Sequence, residues 1–128
     1  MPQAEGKIFE FESKEKIRAD LLETFPYTGD DQLITYETSE FTAVCPFSGL
    51  PDFATIIIEY RPNIKCIELK SLKYYLTSYR NVGIYQEDLT HRLFQDIKRV
   101  LEPKKLQITT IYKTRGGIDS TCEISGQW

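Results

Sequence analysis

The sequence has little of what the common metal and cofactor sites require. Its single histidine, His91, leaves no set of zinc ligands, because such sites combine several cysteine and histidine side chains. No G-x-G-x-x-G motif occurs, which excludes a nicotinamide cofactor held in the Rossmann manner. Cysteines at positions 45, 66 and 122 form no C-x-x-C pair, and this pattern favours a reduced intracellular protein over a disulfide framework.

Long apolar runs and an excess of positive charge are absent as well. No stretch is long enough to span a bilayer and the polar N-terminus is unlike a signal peptide, so we expect a cytoplasmic protein without a membrane partner. The net charge of -3 argues against direct binding of nucleic acid through bulk positive charge. With 128 residues, the chain predicts a single domain over 1–128, of which about the first 30 residues form an N-terminal extension.

The hydrophobic patterns predict an α+β domain in the order strand, strand, helix, helix, strand, strand. The predicted strands are 32–44, 53–60, 105–114 and 118–125, and the predicted helices are 71–80 and 86–101. Ser71 is a possible N-cap, and a further short helix is predicted over 13–22. Two helices can cover only one face of four antiparallel strands. The uncovered face and the two edges therefore predict a symmetric homo-oligomer.

The connection Val44–Asp52, with the sequence VCPFSGLPD, carries a thiol and a carboxylate between two predicted strands. Cys45 is either a small buried hydrophobic residue or a nucleophile, and a nucleophile needs a lowered pKa or a nearby base. Asp52 is either an ordinary turn residue or a proton donor or acceptor. The local sequence leaves both interpretations open.

Charged residues at the predicted helix starts are open to two interpretations as well. Lys70 and Lys73 lie one helical turn apart and form either a solvated face or a phosphate site. Arg115, followed by two glycines, belongs to a hairpin turn or adds a second phosphate contact. Glu87 either stabilises the helix dipole or accepts paired hydrogen bonds from a guanine-like edge.

Four sequence segments together are far more specific for one protein family than the single residues above. They are ELKSLKYY at 68–75, FTAVCPFSGLPDFATI at 41–56, SYRNVGIYQED at 78–88 and TRGGI at 114–118. Over residues 32–118 the chain resembles the NADPH-dependent 7-cyano-7-deazaguanine reductases, the nitrile reductases of queuosine biosynthesis in tRNA modification. The resemblance implies a tunnelling fold, in which two antiparallel hairpins and two helices per subunit assemble into β-barrels with active sites between subunits.

The resemblance also implies roles for individual residues. Cys45 would attack the nitrile carbon to form a covalent thioimide, Asp52 would donate a proton to the nitrogen, and two hydride transfers from NADPH would give the aminomethyl product. No metal is implied. The substrate-binding residues would be Ile67, Glu68, Leu69, Gln86 and Glu87. The cofactor-binding residues would be Lys70, Ser71, Lys73 and Arg115.

One position departs from the family pattern. The residue before the base-binding glutamate is histidine in the members on which these roles are based, and here it is Gln86. A glutamine can form a hydrogen bond with the substrate, but it cannot shuttle a proton near neutral pH.

Two other functions remain to be weighed against the reductase. A cyclohydrolase acting on a pterin or guanine nucleotide would share the fold, but it would need zinc held by cysteine and histidine, and the chain has one histidine. A non-catalytic purine-binding or assembly module would leave Cys45 merely buried. The joint presence of Cys45, Asp52, Glu87 and both lysines argues against such a module.

Overall fold

The computed structural model describes residues 3–128, and its centre is a four-stranded antiparallel sheet in the order β2-β3-β5-β6. A separate two-stranded sheet pairs β1 with β4. The strands are β1 (Thr24–Pro26), β2 (Ile34–Val44), β3 (Pro51–Arg61), β4 (Lys65–Ile67), β5 (Lys105–Arg115) and β6 (Ile118–Gln127). The helices are α1 (Leu69–Thr77) and α2 (Gln86–Leu101).

Two hairpins build the large sheet, because β2 pairs with β3 and β5 pairs with β6. In β3 the side chains of Ile56, Ile58 and Tyr60 are buried, while the residues between them are partly exposed. This alternation is that of a strand with one face on the core. The turn between β5 and β6 uses Gly116 and Gly117 at φ of 58° and 77°, the conformation that two-residue hairpin turns require.

Both helices lie on one face of the sheet, as the sequence predicts. The buried stripe of α2, formed by Leu89, Leu93 and Ile97, has the spacing of an amphipathic helix. Glu102 ends this helix in the left-handed conformation, directly before Pro103. On the opposite face of the sheet Phe53 is half exposed, and within the described residues β2 and β6 each have one unpaired edge.

The predicted α+β architecture is confirmed, with three local differences. The predicted helix over 13–22 is wrong: two 3-10 turns, Lys14–Lys16 and Ala19–Leu21, occur there, because Arg18 between them leaves the helical region. The first long helix begins at Leu69, before the predicted start at Ser71. Strand β1 was not predicted, since its partner lies about 40 residues along the chain. No helix among residues 3–128 is long and apolar enough to cross a membrane.

Candidate active site

The cysteine loop, residues 45–50, is a tight connection closed by its own backbone. The Cys45 N–H donates to the Leu50 carbonyl at 2.9 Å, and the Gly49 N–H donates to the Cys45 carbonyl at 2.8 Å. Gly49 has a φ of 74°, and a Cβ there would collide with the backbone carbonyl of Phe9. The loop thus needs glycine at position 49 for its conformation and for the passage of the N-terminal segment beside it.

The environment of the Cys45 thiol favours the thiolate. Burial raises its pKa, but the backbone N–H groups of Ser48 and Phe47 and the Ser48 hydroxyl stabilise the negative charge, and the net effect lowers the pKa below its ordinary value. The negative charge of Asp52 acts against this shift. The sequence offered no cation to activate the thiol; the loop amides supply the stabilisation instead.

Asp52 lies at the start of β3, opposite Ala43, and only 6% of its surface is exposed. Burial raises the pKa of the Asp52 carboxyl, the nearby Arg115 guanidinium lowers it, and burial prevails. Arg115 Nη1 donates directly to Asp52 Oδ1. A raised pKa suits a carboxyl group that must carry a proton to a reacting atom.

Arg115 reaches Asp52 because of an irregularity in the second hairpin. The β5–β6 register shifts between Tyr112 and Arg115, so that one additional residue occurs on β5. Such a bulge reverses the alternation of side chains beyond it and turns a residue toward the other face. Arg115 therefore points to the face that carries Asp52.

Glu87 is brought to the same end of the sheet by the segment that precedes α2. The Val44 N–H donates to the Val82 carbonyl at 3.0 Å, and the Ile84 N–H donates to the Val44 carbonyl at 3.1 Å. This pairing places the start of α2 beside the residue that precedes Cys45. Glu87, in the first turn of α2, is exposed to solvent.

Gln86, for which the resemblance implied a substrate contact, forms hydrogen bonds within the chain. Its side-chain N–H groups donate to the Thr110 carbonyl at 3.0 Å and to the Ser120 carbonyl at 3.2 Å, and its Oε1 accepts a hydrogen bond from the Ser120 hydroxyl. Both polar ends of this buried amide are therefore occupied within the chain. Gln86 fixes the start of α2 to the sheet and so positions Glu87.

Tyr112 is a residue of this region that the sequence analysis did not single out. It pairs with Ala54 on β3, two residues from Asp52 and on the same face. The sequence did contain an indication of it. Tyr112 is the last buried residue in the alternating pattern of β5, and a tyrosine hydroxyl at such a position needs a hydrogen-bond partner. We define the cysteine site as the five residues Cys45, Asp52, Glu87, Tyr112 and Arg115.

Comparison with known proteins now identifies the family. The sequence model of the QueF-like protein family matches residues 51–127, the part of the chain that contains Asp52, Glu87 and Arg115. The chain belongs to the QueF-like family. The resemblance noted in the sequence is thereby confirmed.

Curated relatives carry the same family's activity in their names. A protein of Thermotoga petrophila named NADPH-dependent 7-cyano-7-deazaguanine reductase is 53% identical over 125 residues, covering 97% of this chain and 91% of the relative. A protein of the same name from Chlorobium chlorochromatii is 44% identical, covering 84% of this chain and 95% of the relative.

A solved structure shows the same fold. The apo form of an archaeosine synthase, itself described as QueF-like, superposes with a TM-score of 0.68 and covers 73% of this chain and 91% of its own. Its sequence identity of 24% supports the fold alone. Together with the two hairpins and one-sided helices, the match confirms the predicted fold class for this QueF-like chain.

The remaining predicted residues form a second group, which we call the α1 start: residues 67–71 together with Lys73. The Glu68 carboxylate accepts hydrogen bonds from the backbone N–H of Ser71 at 2.8 Å and of Lys70 at 3.0 Å. These bonds lower the pKa of Glu68 and make it the N-cap of α1. The Ser71 hydroxyl donates to the Glu68 carbonyl at 2.7 Å and accepts from the Glu23 N–H at 3.0 Å.

In this QueF-like chain the α1 start lies at the opposite end of the sheet from the cysteine site. The Ile67 N–H donates to the hydroxyl of Tyr60 at 3.1 Å. Tyr60 follows Asp52 by eight residues on β3, or about 26 Å of extended strand. The Lys65 ammonium of β4 likewise lies 3.9 Å from Glu102, at the far end of α2 from Glu87. One chain therefore does not bring both groups of residues to one base.

Cationic side chains near the α1 start fit the anionic part of a nucleotide cofactor. Leu69, Lys73 and Arg80 line a groove of about 750 Å³ between α1 and β2. The Lys70 ammonium is 5.8 Å from the centroid of the Tyr74 ring. Among residues 3–128, neither Lys70 nor Lys73 forms an ion pair, so both charges are available to phosphate groups.

Proposed function

We propose that this chain is an NADPH-dependent reductase that converts the nitrile of 7-cyano-7-deazaguanine to the aminomethyl group, a step of queuosine biosynthesis. The observation that carries the proposal is the pair formed by Cys45 and Asp52. A thiol of lowered pKa lies on the same short connection as a buried carboxyl of raised pKa. Each shift favours the form that addition to a nitrile uses, a thiolate at Cys45 and a protonated carboxyl at Asp52.

The first step forms a covalent bond to Cys45. The thiolate sulfur adds to the nitrile carbon, the C≡N bond loses one π-bond, and the nitrogen takes the proton of Asp52. The product of this addition is a thioimide. The loop amides that stabilise the thiolate and the low exposure of Asp52 both support this order of events.

Reduction then requires two hydrides and two protons in all for the change from nitrile to aminomethyl group. NADPH supplies the hydrides when it is bound, one from each of two molecules in turn. After the first hydride addition Cys45 would leave as the thiolate while the imine forms, and the second hydride would reduce that imine. Asp52, held beside Arg115, is the acid of this chain closest to the thiol loop in sequence and supplies the proton that nitrogen gains in the addition. The second proton, which nitrogen gains with the second hydride, comes from solvent.

Recognition of the base falls to Glu87 and to a neighbouring subunit. The exposed Glu87 carboxylate accepts paired hydrogen bonds from the ring N–H and amino group of the base. Ile67, Glu68 and Leu69 line the pocket from a second copy of the chain, because within one chain they lie at the far end of the sheet. Pairing of the free edges of β2 and β6 between copies would build the barrel that this proposal requires.

The cofactor phosphates are held by Lys70 and Lys73, which have no carboxylate partner within residues 3–128. Ser71 supports this site indirectly, since its hydroxyl and N–H are used to fix α1. Arg115 contributes a phosphate contact only through guanidinium N–H groups that Asp52 leaves free. We take residues 1–128 as one tunnelling-fold domain that acts in the cytoplasm, with no direct nucleic-acid or membrane partner.

The proposal is tested by mixing the protein with 7-cyano-7-deazaguanine and NADPH and following the absorbance of the reduced cofactor. We expect oxidation that depends on the substrate and is abolished by Cys45→Ala. Without NADPH, mass spectrometry should detect an adduct of the substrate on the Cys45 peptide. The matched control, Cys66→Ala, changes a buried thiol of β4 and should retain both the oxidation of NADPH and the adduct on the Cys45 peptide. An adduct without any oxidation would show a reactive thiol and refute the reduction. The absence of both signals would refute the reductase and favour the non-catalytic module, in which Cys45 is merely buried.

A further inference from the structure

The hydroxyl of Tyr112 stands apart from those of the other buried tyrosines. Among residues 3–128 its Oη is the one buried side-chain nitrogen or oxygen without a hydrogen-bond partner, although only 8% of the residue is exposed. Tyr75 donates to Asp96 at 2.7 Å, the Tyr79 hydroxyl is 2.7 Å from that of Tyr75, and Tyr60 accepts from the Ile67 N–H. A buried unpaired hydroxyl is costly, so its occurrence calls for a partner from outside the chain.

Within the cysteine site, Tyr112 lies between Asp52 and the start of α2. On one side its strand neighbour is Ala54, and Asp52 follows two residues away on the same face of β3. On the other side its strand neighbour is Ser120, whose hydroxyl donates to Gln86 at the start of α2. Tyr112 is thus flanked by the acid Asp52 and by the helix start that carries Glu87.

The Tyr112 hydroxyl can donate a hydrogen bond to a ligand atom that is an acceptor. Burial, followed by the negative charge of Asp52, raises the pKa of Tyr112 well above its ordinary value, so the phenol keeps its proton near neutral pH. In the proposed function Glu87 accepts from the N–H edge of the base, and Asp52 serves the nitrile nitrogen. The group that remains between them is the carbonyl oxygen at the six-position, which is an acceptor.

We propose that Tyr112 donates a hydrogen bond to the six-position carbonyl oxygen of the bound 7-deazaguanine base. This inference rests on the proposed function for the identity of the base. The carbonyl lies on the ring between the N–H edge and the carbon that bears the nitrile, in the same order as Glu87, Tyr112 and Asp52 along the site. Tyr112 therefore fixes the rotation of the base and directs the nitrile carbon toward Cys45.

The test compares Tyr112→Phe, which removes only the hydroxyl, with Tyr75→Phe as a matched control. For Tyr112→Phe we expect the Kd and the KM of the substrate to rise by about five- to tenfold, with kcat within about twofold of the wild type. Its melting temperature should be unchanged or higher, because an unpaired hydroxyl is removed. Tyr75→Phe should instead lower the melting temperature, through its lost bond to Asp96, and leave the Kd unchanged.

A second measurement uses 2-amino-7-cyano-7-deazapurine, which lacks the oxygen and also the ring N–H from which Glu87 accepts, in a double-mutant cycle that compares the two proteins on each ligand. The analogue should bind to the wild type and to Tyr112→Phe with equal affinity. Equal affinities of both proteins for the natural base, or the same loss for base and analogue, would overturn the inference. Binding that depends on Tyr112 without any oxidation of NADPH by the wild type would refute the proposed activity alone. Turnover by the wild type with an unaffected Tyr112→Phe would refute the inference alone.

Discussion

Two carboxylates at opposite ends of the sheet differ in how the chain uses them. At the α1 start, Glu68 accepts two backbone N–H groups, and Ser71 beside it is bonded on both sides. At the cysteine site, Asp52 is buried with only a guanidinium to balance it, and the Tyr112 hydroxyl has no partner among residues 3–128. Folding gives the polar groups at the α1 start their hydrogen-bond partners, whereas it leaves hydrogen-bonding capacity unused at the cysteine site.

This contrast separates polar groups that the folded chain already satisfies from polar groups that it leaves open to a ligand. Short peptide motifs containing charged residues mark both ends in the sequence, so the motif alone does not distinguish them. Bonding in the folded chain does, because a group already satisfied by its own backbone gains little from a ligand, whereas an unpaired or poorly solvated group gains much. Cys45, Asp52 and Tyr112 belong to the second kind.

The largest effect should come from the acid at the cysteine site. We expect Asp52→Asn to lower kcat by about 10² to 10⁴-fold, the range that loss of a general acid gives. Turnover is measured by NADPH oxidation. Glu59→Gln, a carboxylate of the same strand that lies outside the cysteine site, is the control and should keep its rate. Equal rates for Asp52→Asn and wild type would remove Asp52 from the chemistry.

A mixing experiment tests whether the two ends cooperate between subunits. The assay uses an NADPH concentration below the KM of the double variant Lys70→Ala, Lys73→Ala. Under this condition the double variant and Cys45→Ala should each be inactive. Co-expression with different tags, and purification by both, should give mixed assemblies with about a quarter of the wild-type activity, because a quarter of the sites combine two intact halves. No recovery in mixed assemblies, or a monomeric mass with full activity, would contradict the intersubunit site.

The glycine of the cysteine loop offers a matched pair for stability. Gly49 and Gly117 have nearly the same φ, 74° and 77°, but a Cβ at Gly117 would meet open space. We expect Gly117→Ala to lower the free energy of unfolding by about 1 kcal/mol, from backbone strain alone. Gly49→Ala should cost about 2–4 kcal/mol, since the Phe9 carbonyl must also move. Urea unfolding measures both, and equal losses would mean that the N-terminal segment does not constrain the loop.

The smallest effect concerns the protonation of the thiol. The rate of alkylation of Cys45, followed by mass spectrometry on its peptide, should rise with pH around a midpoint below the ordinary 9.0 of a thiol. Because the negative charge of Asp52 raises the pKa of Cys45, Asp52→Asn should move this midpoint lower still. The same variant would then have a more reactive thiol and a slower enzyme. A midpoint that stays or rises would show that Asp52 does not influence the thiol.

Local patterns predicted those elements that local interactions determine. Helix α2 follows from the spacing of Leu89, Leu93 and Ile97, and the second hairpin follows from Gly116 and Gly117. The family motifs named Cys45, Asp52 and Glu87, and the structure places them at one end of the sheet. The roles of these residues in the reaction stay predictions.

Features that depend on distant pairing were beyond the sequence. The N-cap of α1 is Glu68 rather than Ser71, because Ser71 is engaged with Glu23, 48 residues away. The register of β5 with its neighbours determines the hydrogen bonds that Gln86 forms with Thr110 and Ser120. It also determines the position of Tyr112. A pattern of period two indicates which face a residue is on, but it does not identify the residue opposite.

The bond between Arg115 and Asp52 joins residues 63 positions apart. During synthesis at the ribosome, the first hairpin can form early, but the carboxyl of Asp52 acquires its guanidinium neighbour only when the last hairpin has emerged. A truncated or stalled chain would present the cysteine loop without the final environment of its acid. The final environment of Asp52 is therefore reached only after residue 115 has been synthesised and the second hairpin has folded.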